Sequence, residues 1–213
     1  MEIKVKPFDE NRDRYEEWFD RHPEVYRWEL DAVEELLPGS GKSIEIGVGS
    51  GRFSEPFSIE YGVDPSDKML MIAKGRGIQV VKGIGEELPI KGGVFDTVLI
   101  VTTICFFEDV EMALKEANRV LKQGGNIVIG FIDKESPLGI EYRRKKGQNV
   151  FYREAQFFSV EQVENLLNNA GFSEFEYVQT VFHGLNSVDG VEGVKMRYGE
   201  GSFVVIKGRK ERG

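Results

Sequence analysis

The run Glu45-Ile46-Gly47-Val48-Gly49-Ser50-Gly51 is the stretch of this chain best suited to holding a ligand. Its alternating glycines let the backbone turn sharply and approach a bound molecule with no side chain between. The run leaves a short strand-like segment, 43–46, and the residues after it are expected to open a helix whose free N–H groups face the same space. A dinucleotide fingerprint is G-x-G-x-x-G, its third glycine allowing close helix packing under a pyrophosphate. Here the third glycine falls one residue early, at Gly51, and Arg52 stands in the dinucleotide position. The acid Glu45 ahead of the turn suits a ligand with a positive amino group, so both features point away from NAD.

Asp64 ends the next apolar segment and is able to accept both hydroxyls of a ribose. Alone, it reads equally well as a turn or N-cap aspartate before Pro65. Following the glycine turn, ribose binding is the expected role. Gly83-Ile84-Gly85-Glu86 follow a third segment, where small residues let a flat ring approach the backbone, and Thr102-Thr103 follow a fourth. Candidates for a base are few. His183 follows a strand that would end on the ligand side, and His22 sits among aromatics. Each also reads as an ordinary surface, core or helix-end histidine. Tyr15, Trp18, Phe19 and Trp28 read as packing for the N-terminal helices, or as a lid whose ring faces attract a cation. Phe106 and Phe107 lie just past the fourth segment; Phe106, with Trp18, Phe19 and Trp28, is expected on the substrate side.

Strand-like and helix-like segments alternate after the break at Pro38-Gly39-Ser40-Gly41. Strands are expected at 43–46, 59–63, 78–81, 97–101, 127–131, 175–182 and 203–207. The fourth is apolar on both faces, as a central parallel strand covered by helices should be. Helices are expected over 24–37, from Ser66 or Asp67 to Lys74, from Val110 until Gly124-Gly125, and after a Ser159/Gln162 capping box until Gly171. The alternation predicts an α/β fold in which a parallel sheet carries helices on both faces. The expected organisation is one domain, 1–213, with a cap at 1–38, a cofactor-binding core at 43–131, and a substrate-side connection with closing strands at 132–213. In such sheets ligands bind beyond the C-terminal strand ends, where the strand order reverses.

Taken in order, these landmarks resemble the class I S-adenosylmethionine-dependent methyltransferases of small-molecule, type 11 kind. Glu45-x-Gly47-x-Gly49-x-Gly51 matches the family's first motif, Asp64 its ribose acid, and Glu86-Glu87-Leu88-Pro89 its adenine-side turn. Phe95-Asp96 matches the start of its fourth strand and Leu121-Lys122-Gln123-Gly124-Gly125 the turn before its fifth. The resemblance covers 43–131 and continues loosely through Ala170-Gly171-Phe172. It implies a doubly wound, mainly parallel, seven-stranded Rossmann-like sheet with an antiparallel last strand and an N-terminal helical cap. It also implies S-adenosyl-L-methionine as cofactor, S-adenosyl-L-homocysteine as product, and methyl transfer to a small acceptor by in-line displacement. It implies a cofactor site made by Glu45, Gly47, Val48, Gly49, Gly51, Asp64, Pro65, Met69, Gly83, Ile84, Gly85, Glu86, Thr102 and Thr103. Glu45 is expected at the amino group of the methionine portion, since an anion against the sulfur would favour the ground state. The chain departs from many relatives at Ile84, where they carry an acid, and near Phe106, where they carry a histidine. The Asn-Pro-Pro-aromatic motif of nucleobase amine methylation is absent. A non-catalytic S-adenosylmethionine-binding sensor or subunit is the alternative reading; a nicotinamide oxidoreductase is disfavoured by the glycine spacing.

The 213 residues carry a formal charge of -8 and are 40% apolar. Cys105 is the single cysteine, which excludes an internal disulfide and a cysteine-rich zinc site; no metal is expected. No apolar run approaches the roughly 20 residues that span a bilayer, and the N-terminus lacks a signal-like stretch, so a cytoplasmic protein is expected. The one dense basic run, Arg143-Arg144-Lys145-Lys146, reads as a solvated helix end or as a surface for an anion. With the acidic balance, it points to a small-molecule acceptor rather than nucleic acid or membrane. Oligomeric state is left open.

Overall fold

A computed structural model describes residues 2–183, 185 and 192–211. Its strands are β1 (Ser43–Ile46), β2 (Tyr61–Asp64), β3 (Gln79–Lys82), β4 (Phe95–Val101), β5 (Leu121–Ile132), β6 (Phe172–Thr180), β7 (Lys195–Met196) and β8 (Phe203–Lys210). They form one sheet in the order β3-β2-β1-β4-β5-β8-β6-β7. The first five pair in parallel, and β8 runs antiparallel to both β5 and β6. The doubly wound sheet with an antiparallel last strand is therefore present. An eighth strand was not anticipated: β7 is two residues long and pairs Met196 with Val178 at the sheet edge. It lies in the connection expected between the closing strands, of which 184 and 186–191 fall outside the described residues. The strand order reverses between β1 and β4, so the loops after β1, β2, β3 and β4 converge on one crevice.

The period of two in β4 divides the core. Val98 and Ile100 face α5 (Val110–Val120) and α7 (Val160–Asn169), while Leu99 and Val101 face α3 (Pro23–Leu36). On α3, Val25, Ala32, Val33 and Leu36 form the buried stripe of an amphipathic helix. Ser66 caps α4 (Asp67–Gly75), its hydroxyl accepting the Met69 N–H at 3.1 Å. The capping box of Ser159 and Gln162 starts α7, a feature worth about 1 kcal/mol.

Two expectations fail for identifiable reasons. No regular helix follows the glycine turn; residues 50–58 are a series of turns. Pro56 has no N–H to give the Arg52 carbonyl, which instead accepts the Tyr26 hydroxyl. The Ile59 N–H then closes back on the Ser54 carbonyl at 2.9 Å. Likewise α5 ends at Val120, not at Gly124, because the carbonyls of Arg119 and Val120 accept the N–H groups of Gly93 and Val94 leading into β4. The chain passes directly into β5, whose early part pairs Leu121 with Phe95 before a register shift.

The helices α1 (Glu2–Glu10) and α2 (Arg12–Arg21) complete the cap with α3. Asp9 accepts the Ser66 hydroxyl at 2.5 Å, tying α1 to the start of α4. Glu16 on α2 bridges Arg52 at 2.8 Å and Arg76 at 2.7 Å. Burial pushes the Glu16 carboxyl up, but the two guanidiniums outweigh it and hold it below the usual carboxylate range. The basic residues 143–145 occupy the exposed last turn of α6 (Pro137–Lys145), where positive charge complements the helix dipole. Among the described residues, no helix is long and apolar enough to cross a membrane.

Candidate active site

The converging loops and the cap enclose a cavity of about 300 Å³. That is the lower end of the range for small-molecule sites, roughly 300–1,000 Å³. One end is built by the residues just past each strand: Gly47 and Gly49 after β1, Asp64 and Pro65 after β2, Gly83 to Glu86 after β3, and Thr102 and Thr103 after β4. Met69 on α4 joins them.

Asp64 is the best-defined acceptor. Its two oxygens take the N–H groups of Gly49 and Ser66, each at 2.9 Å. Burial pushes its carboxyl up to about 6, against the pull of those two N–H groups. Each oxygen keeps a second acceptor position, and Asp64 lines the cavity. Gly49 has φ +50, and a Cβ there would meet only the Tyr15 hydroxyl, at 3.5 Å. Gly47 is different: at φ +74 its Cβ would lie 2.1 Å from the Thr103 methyl. Beside it Thr102 has φ +50, a strained setting for a β-branched residue.

Five anticipated residues lie off the cavity wall. Val48 packs into a small core with Leu70, Ala73 and Ile78. Gly51 is close-packed, its Cβ position 2.4 Å from Ile78, so its freedom serves folding of the turn onto α4 and β3. Trp28 lies in the core between α3 and the sheet. His183 has its side chain 72% exposed and paired with Glu192 at 3.0 Å, because the chain turns outward after β6. Glu45 is buried beneath the turn, accepting the Ser54 hydroxyl at 2.5 Å. Burial pushes its carboxyl up to about 8, opposed by the Ser54 hydrogen bond and helped by nearby Asp64.

The buried Glu45 makes stability depend on pH. A carboxyl with a raised folded-state pKa stabilises the fold fully below its unfolded value, and this stability is lost as pH rises towards the folded value. For Glu45 the window runs from 4.5 to about 8; Glu29, raised by burial over the same window, and Asp64, raised to about 6, act in the same sense. Glu16, Asp96 and Glu116, held low by cations, act in the opposite sense and only below their ordinary range. Without cofactor, the melting temperature is expected to fall by about 5 °C or more between pH 5 and pH 8.5. Glu45→Gln should shrink that fall. Thermal melts of both proteins across the range check this, and an equal slope in the variant would contradict it.

The other end of the cavity is aromatic. Phe8 of α1 meets Phe106 edge-on at 5.1 Å and lies 5.2 Å from Phe151. Trp18 and Phe19 from α2 line the same wall, as do Tyr142 and Tyr152, stacked at 5.1 Å. His22 also lines it, stacked on Trp18 at 4.9 Å. Its Nδ1 is 2.9 Å from the Trp18 carbonyl. A carbonyl only accepts, so Nδ1 carries the hydrogen and Nε2 the lone pair in the neutral ring. Glu86 lines the cavity but spends one oxygen on the Glu108 N–H, at 2.7 Å.

Sequence reasoning missed Phe8, Glu29, Tyr142, Phe151 and Tyr152, all on the cavity wall. Only Glu29 left a signal: it falls on the apolar stripe of α3, four residues after Val25 and four before Val33. The others sit in the cap or the connection after β5, where no spacing rule links them to the site.

Comparisons with known proteins agree with this architecture. A family model described as a methyltransferase domain matches residues 44–129. An uncharacterized protein of Methanocaldococcus jannaschii is 44% identical over 203 residues, 95% of this chain and 98% of its own. An uncharacterized protein of Mycobacterium tuberculosis is 35% identical over 163 residues, 74% of this chain, which spans 57% of that protein. A crystal structure from Thermotoga maritima superposes with a TM-score of 0.95 at 49% identity, covering 98% of this chain and 100% of that one. It is described as an S-adenosylmethionine-dependent methyltransferase, possible histamine N-methyltransferase.

Proposed function

The chain belongs to the S-adenosylmethionine-dependent methyltransferases, and we propose that it transfers the methyl group to a small organic acceptor held in the aromatic end of the cavity. The observation carrying this reading is that one enclosed space joins the glycine turn and Asp64 to the aromatic wall, with Phe8, Trp18 and Phe19 of the cap closing over it.

The residues present fit the cofactor. Asp64 has acceptor capacity for two ribose hydroxyls, and Gly49 offers bare backbone to a ligand. Gly83, Ile84 and Gly85 line the cavity, where the Ile84 side chain offers a flat ring apolar contact in place of an acid; the Cβ positions of the two glycines are close-packed, 2.7 Å from Pro89 and 2.5 Å from Phe107. Arg52 is turned away onto Glu16, so no cation from the turn opposes a positively charged ligand. When bound, S-adenosylmethionine supplies a methyl group already activated on a sulfonium sulfur. The protein's part is then to align an acceptor with that methyl and to exclude water, and alignment can contribute about 7–11 kcal/mol. In this reading Thr102 and Thr103, at the end of β4, floor the meeting point, and Phe106 and Trp18 flank the acceptor.

A calorimetric titration with S-adenosylhomocysteine, with NAD as control, tests the site. Micromolar binding of the first and none of the second is expected. Release of S-adenosylhomocysteine from S-adenosylmethionine should then depend on an added small acceptor. Turnover only with a protein or nucleic acid acceptor would remove the small-molecule reading.

A further inference from the structure

Glu29 is the cavity residue that the methyl-transfer reading leaves unused. It projects from the buried stripe of α3, is 4% exposed, and lines the cavity. Among the described residues it has no hydrogen-bond or ion-pair partner. A leucine in the same place would pack at no electrostatic cost, whereas an isolated buried carboxylate costs several kcal/mol. Burial alone pushes its carboxyl up to about 8; no neighbouring cation offsets it. The groups facing this end are Tyr142 of α6, Tyr152 beyond it, and His22, whose Nδ1 is committed to Trp18. Arg14 and Arg21 of α2 also line the cavity, but both are exposed, and Arg21 is bridged to Glu17 at 2.6 Å. Asp64 and Glu86 belong to the opposite end.

A single acid set among aromatic faces is the chemistry that recognises an organic cation. The carboxylate supplies charge and hydrogen-bond acceptors, and the rings supply cation–π attraction of about 0.5–2 kcal/mol. Resting on the methyl-transfer reading, we propose that the acceptor is a small organic amine that enters as its ammonium ion, pairs with Glu29, and gives Glu29 its proton before transfer. The ammonium is the partner that Glu29 lacks: pairing with it ionises Glu29, whose own proton leaves to solvent, so that a carboxylate is present to receive the proton of the ammonium. Loss of the proton to the carboxylate frees the nitrogen lone pair, which forms the new bond to the methyl carbon. The carbon–sulfur electron pair departs with the sulfur, and the positive charge passes from sulfur to the methylated nitrogen. The aromatic wall stabilises the charge at the nitrogen, where it builds up.

The test uses the full chain saturated with S-adenosylhomocysteine, titrated with three amine and alcohol pairs of matched skeleton: 2-phenylethylamine and 2-phenylethanol, tryptamine and tryptophol, histamine and its alcohol analogue. Wild-type protein is expected to prefer the amine of at least one pair by about 30-fold or more. Glu29→Gln should erase that preference, keep S-adenosylhomocysteine affinity within about twofold, and melt no lower than wild type at pH 8, since it removes a buried acid. With S-adenosylmethionine, turnover of the preferred amine should fall in the same variant, and Glu29→Asp should restore part of it. A preference that survives Glu29→Gln, or no preference for any amine with S-adenosylhomocysteine binding intact, overturns this inference alone. Absence of S-adenosylhomocysteine binding overturns the methyl-transfer reading and this inference with it.

Discussion

Asp64→Ala is expected to weaken S-adenosylhomocysteine binding by about 100-fold or more and to leave the fold intact. Hydrogen bonds to a charged acceptor are worth about 1.5–3 kcal/mol each, and a ribose presents two donors. Losing both corresponds to about 3 kcal/mol, which is a factor of more than 100. Folding should not suffer, because burial already raises this carboxyl to about 6, so ionising it at neutral pH works against the folded state. The Gly49 and Ser66 N–H groups left behind open onto the cavity, where water can satisfy them. Asp64→Asn is the sharper variant. Its amide must turn one N–H group towards a backbone N–H, since both oxygens of the aspartate are used as acceptors. Calorimetry on the two variants decides the matter: affinities within about threefold of wild type would show that the ribose does not rest on Asp64.

Gly49→Val is expected to abolish cofactor binding at a modest cost in stability, whereas Gly47→Ala is expected to damage the fold itself. Both glycines have positive φ, so any side chain pays about 1–2 kcal/mol of backbone strain, more when β-branched. At Gly49 that is nearly the whole cost, because the Cβ position opens onto the cavity with only the Tyr15 hydroxyl nearby. The valine methyls would occupy the ligand's space, and a loss in affinity of about 100-fold or more should accompany a melting point lower by about 4–8 °C. At Gly47 the added methyl would lie 2.1 Å from the Thr103 methyl and 2.8 Å from its Cβ. Relief requires moving the end of β4, so overpacking adds to strain for a total of about 3–5 kcal/mol and a melting point down by about 10 °C or more. Affinity titrations and thermal melts run on both variants separate the two effects. A Gly49→Val protein that binds normally would remove the glycine turn from the site.

The pH dependence expected from Glu45 and the amine preference expected from Glu29 have one origin. In both, a carboxyl is buried without a cation beside it. Glu45 sits under the turn and hydrogen-bonds Ser54, so its effect falls on the stability of the turn. Glu29 lines the cavity, so in the proposed reading its effect falls on the acceptor as well as on stability.

Periodicity and spacing were enough for the parallel sheet and the capping box at Ser159, while the family resemblance added the antiparallel last strand and the set Gly47, Gly49, Asp64, Gly83 to Glu86, Thr102 and Thr103, which lies at one end of the cavity. The former come from local rules: a strand alternates with period two, a helix has a cap, and loops after parallel strands share one sheet edge. The aromatic end obeys no such rule. Phe8, Tyr142 and Phe151 come from different segments and meet only when the cap and the connection after β5 fold over the sheet. The same packing decided which way equivalent residue types face: Trp18 into the cavity and Trp28 into the core, His22 onto the wall and His183 out to Glu192. By itself the sequence determined the fold and the end of the cavity built by the loops after the parallel strands, because local geometry there is repeated from strand to strand. Only the tertiary structure decided the aromatic wall of the cavity, because that wall is set by how α1, α2 and α3 dock, and docking depends on long-range packing that residue spacing does not record.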